Sequence, residues 1–161
     1  MNKFQDFPRI TPFLWFDSNA EEAVDFYLSV FKNSRRLSEM RTPENVDMPG
    51  GAPKPQVLTI AFELDGQRFT ALNGGPMFKF NESVSFVVRC DSQQEVDYYW
   101  SKLTADGGSE SQCGWLKDKF GLSWQVVPAR LGELIAHPKA MQAMLGMKKL
   151  DIPTLERAAK E

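Results

Sequence analysis

A chain of 161 residues, 42% hydrophobic and 25% charged, has the size and composition of one globular domain able to bury a continuous core. Its 19 basic and 21 acidic side chains leave a net charge of -2, which excludes the basic footprint that a phosphate backbone demands of a partner. The opening MNKFQDFPRITPF holds no apolar targeting run, and no stretch reaches the roughly 18 apolar residues that span a bilayer. The expectation is a cytoplasmic protein with neither nucleic acid nor membrane as partner, in which Cys90 and Cys113, lacking CxxC spacing, stay reduced.

In chain order, the apolar run Ile10 to Phe16 reads as a strand and leads into a helix. Ser18 with Glu21, or Asn19 with Glu22, supplies a capping pair, and Ala23, Phe26, Tyr27, Val30 and Phe31 recur at helical spacing. Arg36 to Thr42, Val57 to Leu64 and Arg68 to Leu72 read as strands, the last two joined by Asp65-Gly66, a dipeptide suited to a tight hairpin turn. Between Pro43 and Pro55 the segment PENVDMPGGAPKP carries four prolines and two glycines; it sustains neither ladder nor helix and is expected as an exposed loop, either a lid or a plain excursion.

The same order then returns. Val84 to Val88 reads as a strand, followed by a cap from Asp91 with Gln94 or Ser92 with Glu95, and by a helix with Val96, Tyr99, Trp100 and Leu103 on one side. Trp15 to Phe31 can be laid on Val87 to Leu103 without a gap, which sets Val24-Asp25-Phe26-Tyr27 on Val96-Asp97-Tyr98-Tyr99. Gly107-Gly108 ends the second helix, Ser109 to Gln112 and Gly114 to Lys119 read as short strands, and Phe120-Gly121 turns into Leu122 to Val127. The tail from Arg130 is helical in pattern: Ala140, Met141, Met144 and Leu145 share one face, Gly146 interrupts, and Pro153 opens a last helix. The expected fold is thus α+β, two βαβββ modules (8–75 and 82–128) and a helical extension (129–161) in a single domain over 1–161.

A tandem βαβββ repeat whose first helix carries Ala23-Val24-Asp25-Phe26-Tyr27 resembles the vicinal oxygen chelate, or glyoxalase-like, superfamily, which includes glyoxalase I, extradiol dioxygenases and fosfomycin-resistance proteins. Asn19-Ala20-Glu21-Glu22-Ala23, Ala71-Leu72-Asn73-Gly74-Gly75-Pro76, and above all Gly114-Trp115-Leu116-Lys117-Asp118-Lys119-Phe120-Gly121-Leu122-Ser123-Trp124-Gln125 resemble the PhnB-like family, labelled as a 3-demethylubiquinone-9 3-methyltransferase domain. The likeness runs from Ile10 to Pro128. It implies a curved-sheet cup and, through pairing of modules between chains, a homodimer. The methyltransferase label implies S-adenosylmethionine, but the chain has no glycine-rich turn from a strand into a helix to cradle it: Gly74-Gly75-Pro76 leads into Met77-Phe78-Lys79-Phe80.

Metal-dependent members of that superfamily carry a His or Glu ligand on the first and last strand of each repeat. The matching neighbourhoods here are Thr11 to Phe13, Ser83 to Ser85, Thr70 with Leu72 and Asn73, and Gln125, none of them an imidazole, thiolate or carboxylate. His137 beside Pro138 reads as a helix start. No metal and no cofactor are therefore expected. Strand alternation turns Trp15, Ser85, Trp115, Lys117 and Gln125 toward the cup, with Asn73 and Phe80 from the connecting segment, while Trp124 faces the helix layer. Trp15 is a pocket wall or ordinary core; Lys117 is an anion contact, a general acid, or a solvated charge, and Asp118 points to the opposite face from it. Cys113 completes the candidate ligand-binding set, as a polar group or a nucleophile lacking a neighbouring base. Glu63 and Asp65 read as hairpin charges. Two functions stay open: a protein that binds or sequesters a small, aromatic or conjugated molecule, and a metal-independent enzyme acting on one.

Overall fold

The computed structural model describes residues 6–51 and 53–161; the first five residues of the amino-terminal run, and position 52 within the Pro43–Pro55 loop, lie outside the described residues. The chain divides into two compact units, the boundary falling between Lys79 and Phe80.

The first unit runs β1 (Phe13–Phe16), α1 (Ala20–Val30), β2 (Ser34–Arg41), β3 (Val57–Leu64) and β4 (Gln67–Asn73). Its sheet has the order β1-β4-β3-β2, with β1 parallel to β4 and the other pairs antiparallel. The strand expected from Ile10 begins only at Phe13, because Pro12 has no amide hydrogen to extend the ladder and Ile10 is exposed. Asp65 (φ 49°) and Gly66 (φ 85°) both take the left-handed region, as the two-residue β3–β4 turn requires. Under α1 the core is aromatic: Tyr27 stacks on Phe62 with centroids 6.3 Å apart, and Phe62 on Phe69 at 5.4 Å. Among the described residues from Pro43 to Pro55 there is no strand, only a 3-10 turn at Pro49–Gly51.

The second unit repeats the plan with β5 (Ser85–Cys90), α2 (Gln93–Thr104), β6 (Ser109–Glu110), β7 (Trp115–Lys117) and β8 (Ser123–Pro128), in the order β5-β8-β7-β6 with β5 parallel to β8. The gapless overlay of the two halves is corrected by one residue in the helices. The caps are Asn19 and Ser92, and the buried side chains that correspond are Ala23 with Val96, Tyr27 with Trp100 and Val30 with Leu103. A one-residue slip rotates a helix by about 100°, so packing against the sheet, not the identity of the VDFY and VDYY segments, decides the match.

Three helices follow, α3 (Leu131–Leu134), α4 (Pro138–Leu145) and α5 (Ile152–Ala158). Leu134, Met144, Leu150 and Leu155 form a buried cluster against which Cys113 and Val127 pack. The single expected face of α4 is split: Ala140 and Met144 are buried while Met141 and Leu145 are exposed. His137 is the N-cap residue of α4, with Pro138 in the first turn. Backbone bonds from Cys113 N to Met147 O and from Gly114 N to Lys148 O, each 2.8 Å, tie the extension to the turn before β7. Among the described residues no helix is long and apolar enough to cross a membrane.

Candidate functional site

Alternation across the second sheet separates two faces. Phe86, Val88, Leu116, Trp124 and Val126 point to the α2 side, where Trp124, Leu116 and Val126 are buried. The other face carries two rows set by the strand register: Ser109, Lys117, Ser123 and Ser85 in one, Trp115, Gln125 and Val87 in the next. Four of the expected site residues, Ser85, Trp115, Lys117 and Gln125, therefore share one face of one sheet, as their parity implied.

The groups on that face are partnered unevenly. Gln125 Nε2 donates to Ser85 Oγ at 2.9 Å. Lys117 Nζ pairs with the exposed carboxylate of Glu82, which lies just before β5, and the ammonium holds Glu82 below its ordinary carboxylate pKa. Ser123, 1% exposed, keeps its Oγ without a hydrogen-bond partner among the described residues. A cleft of about 200 Å³ opens here, lined by Glu82, Ser109, Trp115, Lys117 and Ser123 together with Glu110, Ser111 and Leu116. Glu110 is committed elsewhere, accepting from Trp100 Nε1 at 2.7 Å.

The long motif from Gly114 to Gln125 owes its shape to Asp118. This carboxylate, 2% exposed, accepts from Phe120 N at 2.9 Å, Leu122 N at 3.1 Å and Trp124 Nε1 at 2.9 Å. It closes the β7–β8 turn and anchors the indole on the helix side, which leaves Lys117 and Gln125 on the opposite face. Sequence reasoning missed both Asp118 as the clamp and Glu82 as the partner of Lys117. The spacing of Asp118 from the Phe120-Gly121 turn was a usable signal for the first, since a carboxylate before a turn accepts from amides two to four residues on.

The remaining expected residues lie elsewhere. Cys113 (φ 57°) sits in the turn before β7 and packs against the carboxy-terminal cluster, away from the Lys117 row. Phe80 is half-buried in the coil that precedes β5. In the first unit, Trp15 donates from Nε1 to Gly75 O at 2.9 Å and meets Phe78 edge-on at 4.9 Å. A Cβ at Gly74 would fall 2.4 Å from the Trp15 ring, so only glycine admits that packing. Asn73 does not share a face with Trp15: it pairs in register with Phe16 and is buried, its Oδ1 accepting from Ala20 N at 2.9 Å and its Nδ2 donating to Val57 O at 2.8 Å and Glu21 Oε1 at 3.0 Å. Asn73 itself lines a cleft of about 470 Å³ between the Pro43–Pro55 loop and the start of α1, together with Asp17, Glu21, Met48, Lys54 and Gly74 among others. Cys90 is buried and its thiol is pushed up to about 12, first by burial and then by Glu95 and Asp91, which leaves it inert as a nucleophile.

A metal, as the superfamily implies, needs imidazole, thiolate or carboxylate ligands. At the first- and last-strand positions of the second unit stand Ser85 and Gln125, bonded to each other, and among the described residues no three His, Cys, Asp or Glu side chains gather to hold an ion. This donor set does not fit a divalent first-row metal.

Comparison with known proteins agrees with the architecture. The chain matches the family described as 3-demethylubiquinone-9 3-methyltransferase over residues 8–127. Among solved structures it resembles the PhnB protein from Bacillus cereus, with 33% identity over 76% of this chain and 100% of that one and a TM-score of 0.66. The fosfomycin resistance protein FosX from Mesorhizobium loti shares the fold at 12% identity, over 81% of this chain and 99% of that one, with a TM-score of 0.54. FosX from Listeria monocytogenes, solved with Mn(II) and sulfate, does so at 12% identity, over 78% and 96% of the two chains, with a TM-score of 0.53. No curated protein gives a significant match. Two βαβββ units of identical strand order, matched over most of their length, make this chain a member of the PhnB-like 3-demethylubiquinone-9 3-methyltransferase family, with a fold it shares with the fosfomycin resistance proteins.

Proposed function

We propose that this chain binds a small aromatic or conjugated molecule without a metal, on the face of the second sheet opposite α2, and holds it without transforming it. The observation that carries the reading is the hydroxyl of Ser123, buried and unpartnered between Lys117 and Ser85 in a cleft walled by Trp115. A buried hydroxyl without a partner costs about 1–3 kcal/mol, and a polar ligand atom in the cleft offsets that cost. An apolar wall with a few convergent polar groups is the usual make-up of a ligand site.

Binding is favoured over catalysis because the ionisable side chains lining the cleft are already engaged, Lys117 with Glu82 and Glu110 with Trp100. General acid–base work requires a group poised to exchange its proton with the substrate. Methyl transfer, the activity in the family's description, has no support in the segment after Gly74-Gly75-Pro76: residues 74–84 form no helix whose amino terminus opens onto a nucleotide. The chain is further proposed to be a cytoplasmic homodimer, since the open sheet edges and the exposed Met141 and Leu145 are surfaces that closed two-fold pairing covers.

Native mass spectrometry of freshly purified protein tests the main reading: a retained mass that disappears in Trp115→Ala supports it, and a ligand found instead against the first unit's cleft overturns it. Elemental analysis after purification without chelators is expected to find no stoichiometric transition metal, and light scattering at micromolar concentration to find a dimer.

A further inference from the structure

We infer that the cleft beside β7 takes a single-ring aromatic carboxylate, and that Glu82 is a tethered occupant which the ligand's carboxylate displaces from Lys117. The inference rests on the binding role proposed above and names its ligand class. Lys117 is the cation of the cleft, and in the structure its Nζ is held by a carboxylate carried on an exposed, irregular stretch. The Glu82 side chain is 63% exposed, so it leaves the ammonium without unpacking anything. Lys117 and Ser123 are register partners on adjacent antiparallel strands, which brings their Cβ atoms to about 4.5–5.5 Å. One carboxylate can thus accept from Nζ through one oxygen and from the unpartnered Ser123 Oγ through the other. A single positive charge next to Glu110 balances a monoanion and leaves a dianion under-neutralised.

The ring follows from the wall and the volume. Trp115 is half-buried at the cleft, one row beyond Lys117 on the same face, and presents an indole to an aromatic group at the edge-on or offset geometry such pairs prefer. The cleft, about 200 Å³, is below the roughly 300–1,000 Å³ of sites for drug-sized ligands. It admits one ring with its acid group.

The test uses the intact protein, benzoate as the acid and benzamide as its neutral isostere, with affinities read from titration of backbone amide shifts in β7 and β8. Benzoate is expected to bind, and to bind about two- to fivefold more tightly to Glu82→Gln, the range an exposed ion pair supplies. Lys117→Gln is expected to weaken benzoate by roughly tenfold, as loss of a charge-assisted bond does, while neither substitution changes benzamide affinity. Benzamide binding as well as benzoate, or benzoate indifferent to Glu82→Gln, overturns the carboxylate inference and leaves the small-molecule reading standing. If neither compound moves the β7–β8 amides in the wild type or in Glu82→Gln while native mass spectrometry still finds a ligand lost in Trp115→Ala, the ligand class alone is wrong; if no ligand is found either, both readings fall.

Discussion

The two units share a strand order but start their helices by different means. In the second, the cap is local: Ser92 Oγ accepts from Glu95 N at 3.2 Å, and Glu95 Oε2 accepts from Asp91 N at 2.8 Å. In the first, Asn19 makes no side-chain cap bond, and Ala20 N is met instead by Asn73 Oδ1, 53 residues along the chain. The first helix is thus tied to the end of β4, and the polar residue at that strand end is a structural support for α1. The hairpins differ too, although both are fastened locally. The β3–β4 turn closes through two left-handed residues, Asp65 and Gly66, whereas the β7–β8 turn is longer and needs the buried carboxylate of Asp118. One plan tolerates either local or long-range fastening at the start of its helix, and what the second unit gains from Asp118 is a fixed face for Lys117 and Gln125.

That contrast can be broken at several points. Asp118→Ala removes the carboxylate that accepts from Phe120 N, Leu122 N and Trp124 Nε1. It is expected to destabilise by about 3–5 kcal/mol in urea titration, since a buried donor that loses its acceptor costs about 1–3 kcal/mol. Leu150→Ala opens a cavity in the cluster that fastens the extension to the second unit, with an expected cost of about 2–5 kcal/mol. Deleting the chain after Pro128 should lower the melting temperature further still, because it exposes Val127 and Cys113 as well. Asn73→Ala against Ser92→Ala measures long-range against local capping directly: about 2–3 kcal/mol for the first, which loses three bonds, and about 1 kcal/mol for the second. Equal costs would mean that the distant cap adds nothing beyond a local one.

The smallest effect concerns pH. The Cys90 thiol is raised from 9.0 to about 12 by burial, so the native state keeps the proton that the unfolded chain releases. Its contribution to stability is complete below pH 9 and declines as pH rises from about 9 to about 12. Cys90→Ala should flatten that decline in denaturation curves measured across the window. A thiol-labelling experiment under native conditions should modify Cys113, which is half-buried, well before Cys90.

Much of this was legible in the sequence because it is set by near neighbours. The β3 strand, the Asp65-Gly66 turn, the Ser92 cap and the parity of Trp115, Lys117 and Gln125 each follow from residues within a few positions of one another. The Gly114–Gln125 motif identified the family, although its most constrained member, Asp118, acts within the turn.

Tertiary structure alone decided the rest. Asn73 reads from the sequence as a polar group at the end of an apolar strand, and only folding brings the amide of Ala20 to its Oδ1 at the edge of the first unit's cleft. Cys113 stands two positions before Trp115 but is turned into the carboxy-terminal cluster by its left-handed backbone. The α4 stripe divides because only Ala140 and Met144 find a packing surface. Glu82 meets Lys117, 35 positions further along the chain. Local sequence dictates periodicity, turns and the side of a strand on which a residue falls, since those depend on backbone sterics and short-range bonds. Which partner a polar group meets, and whether it is left without one like Ser123, depends on chain segments that only folding brings together.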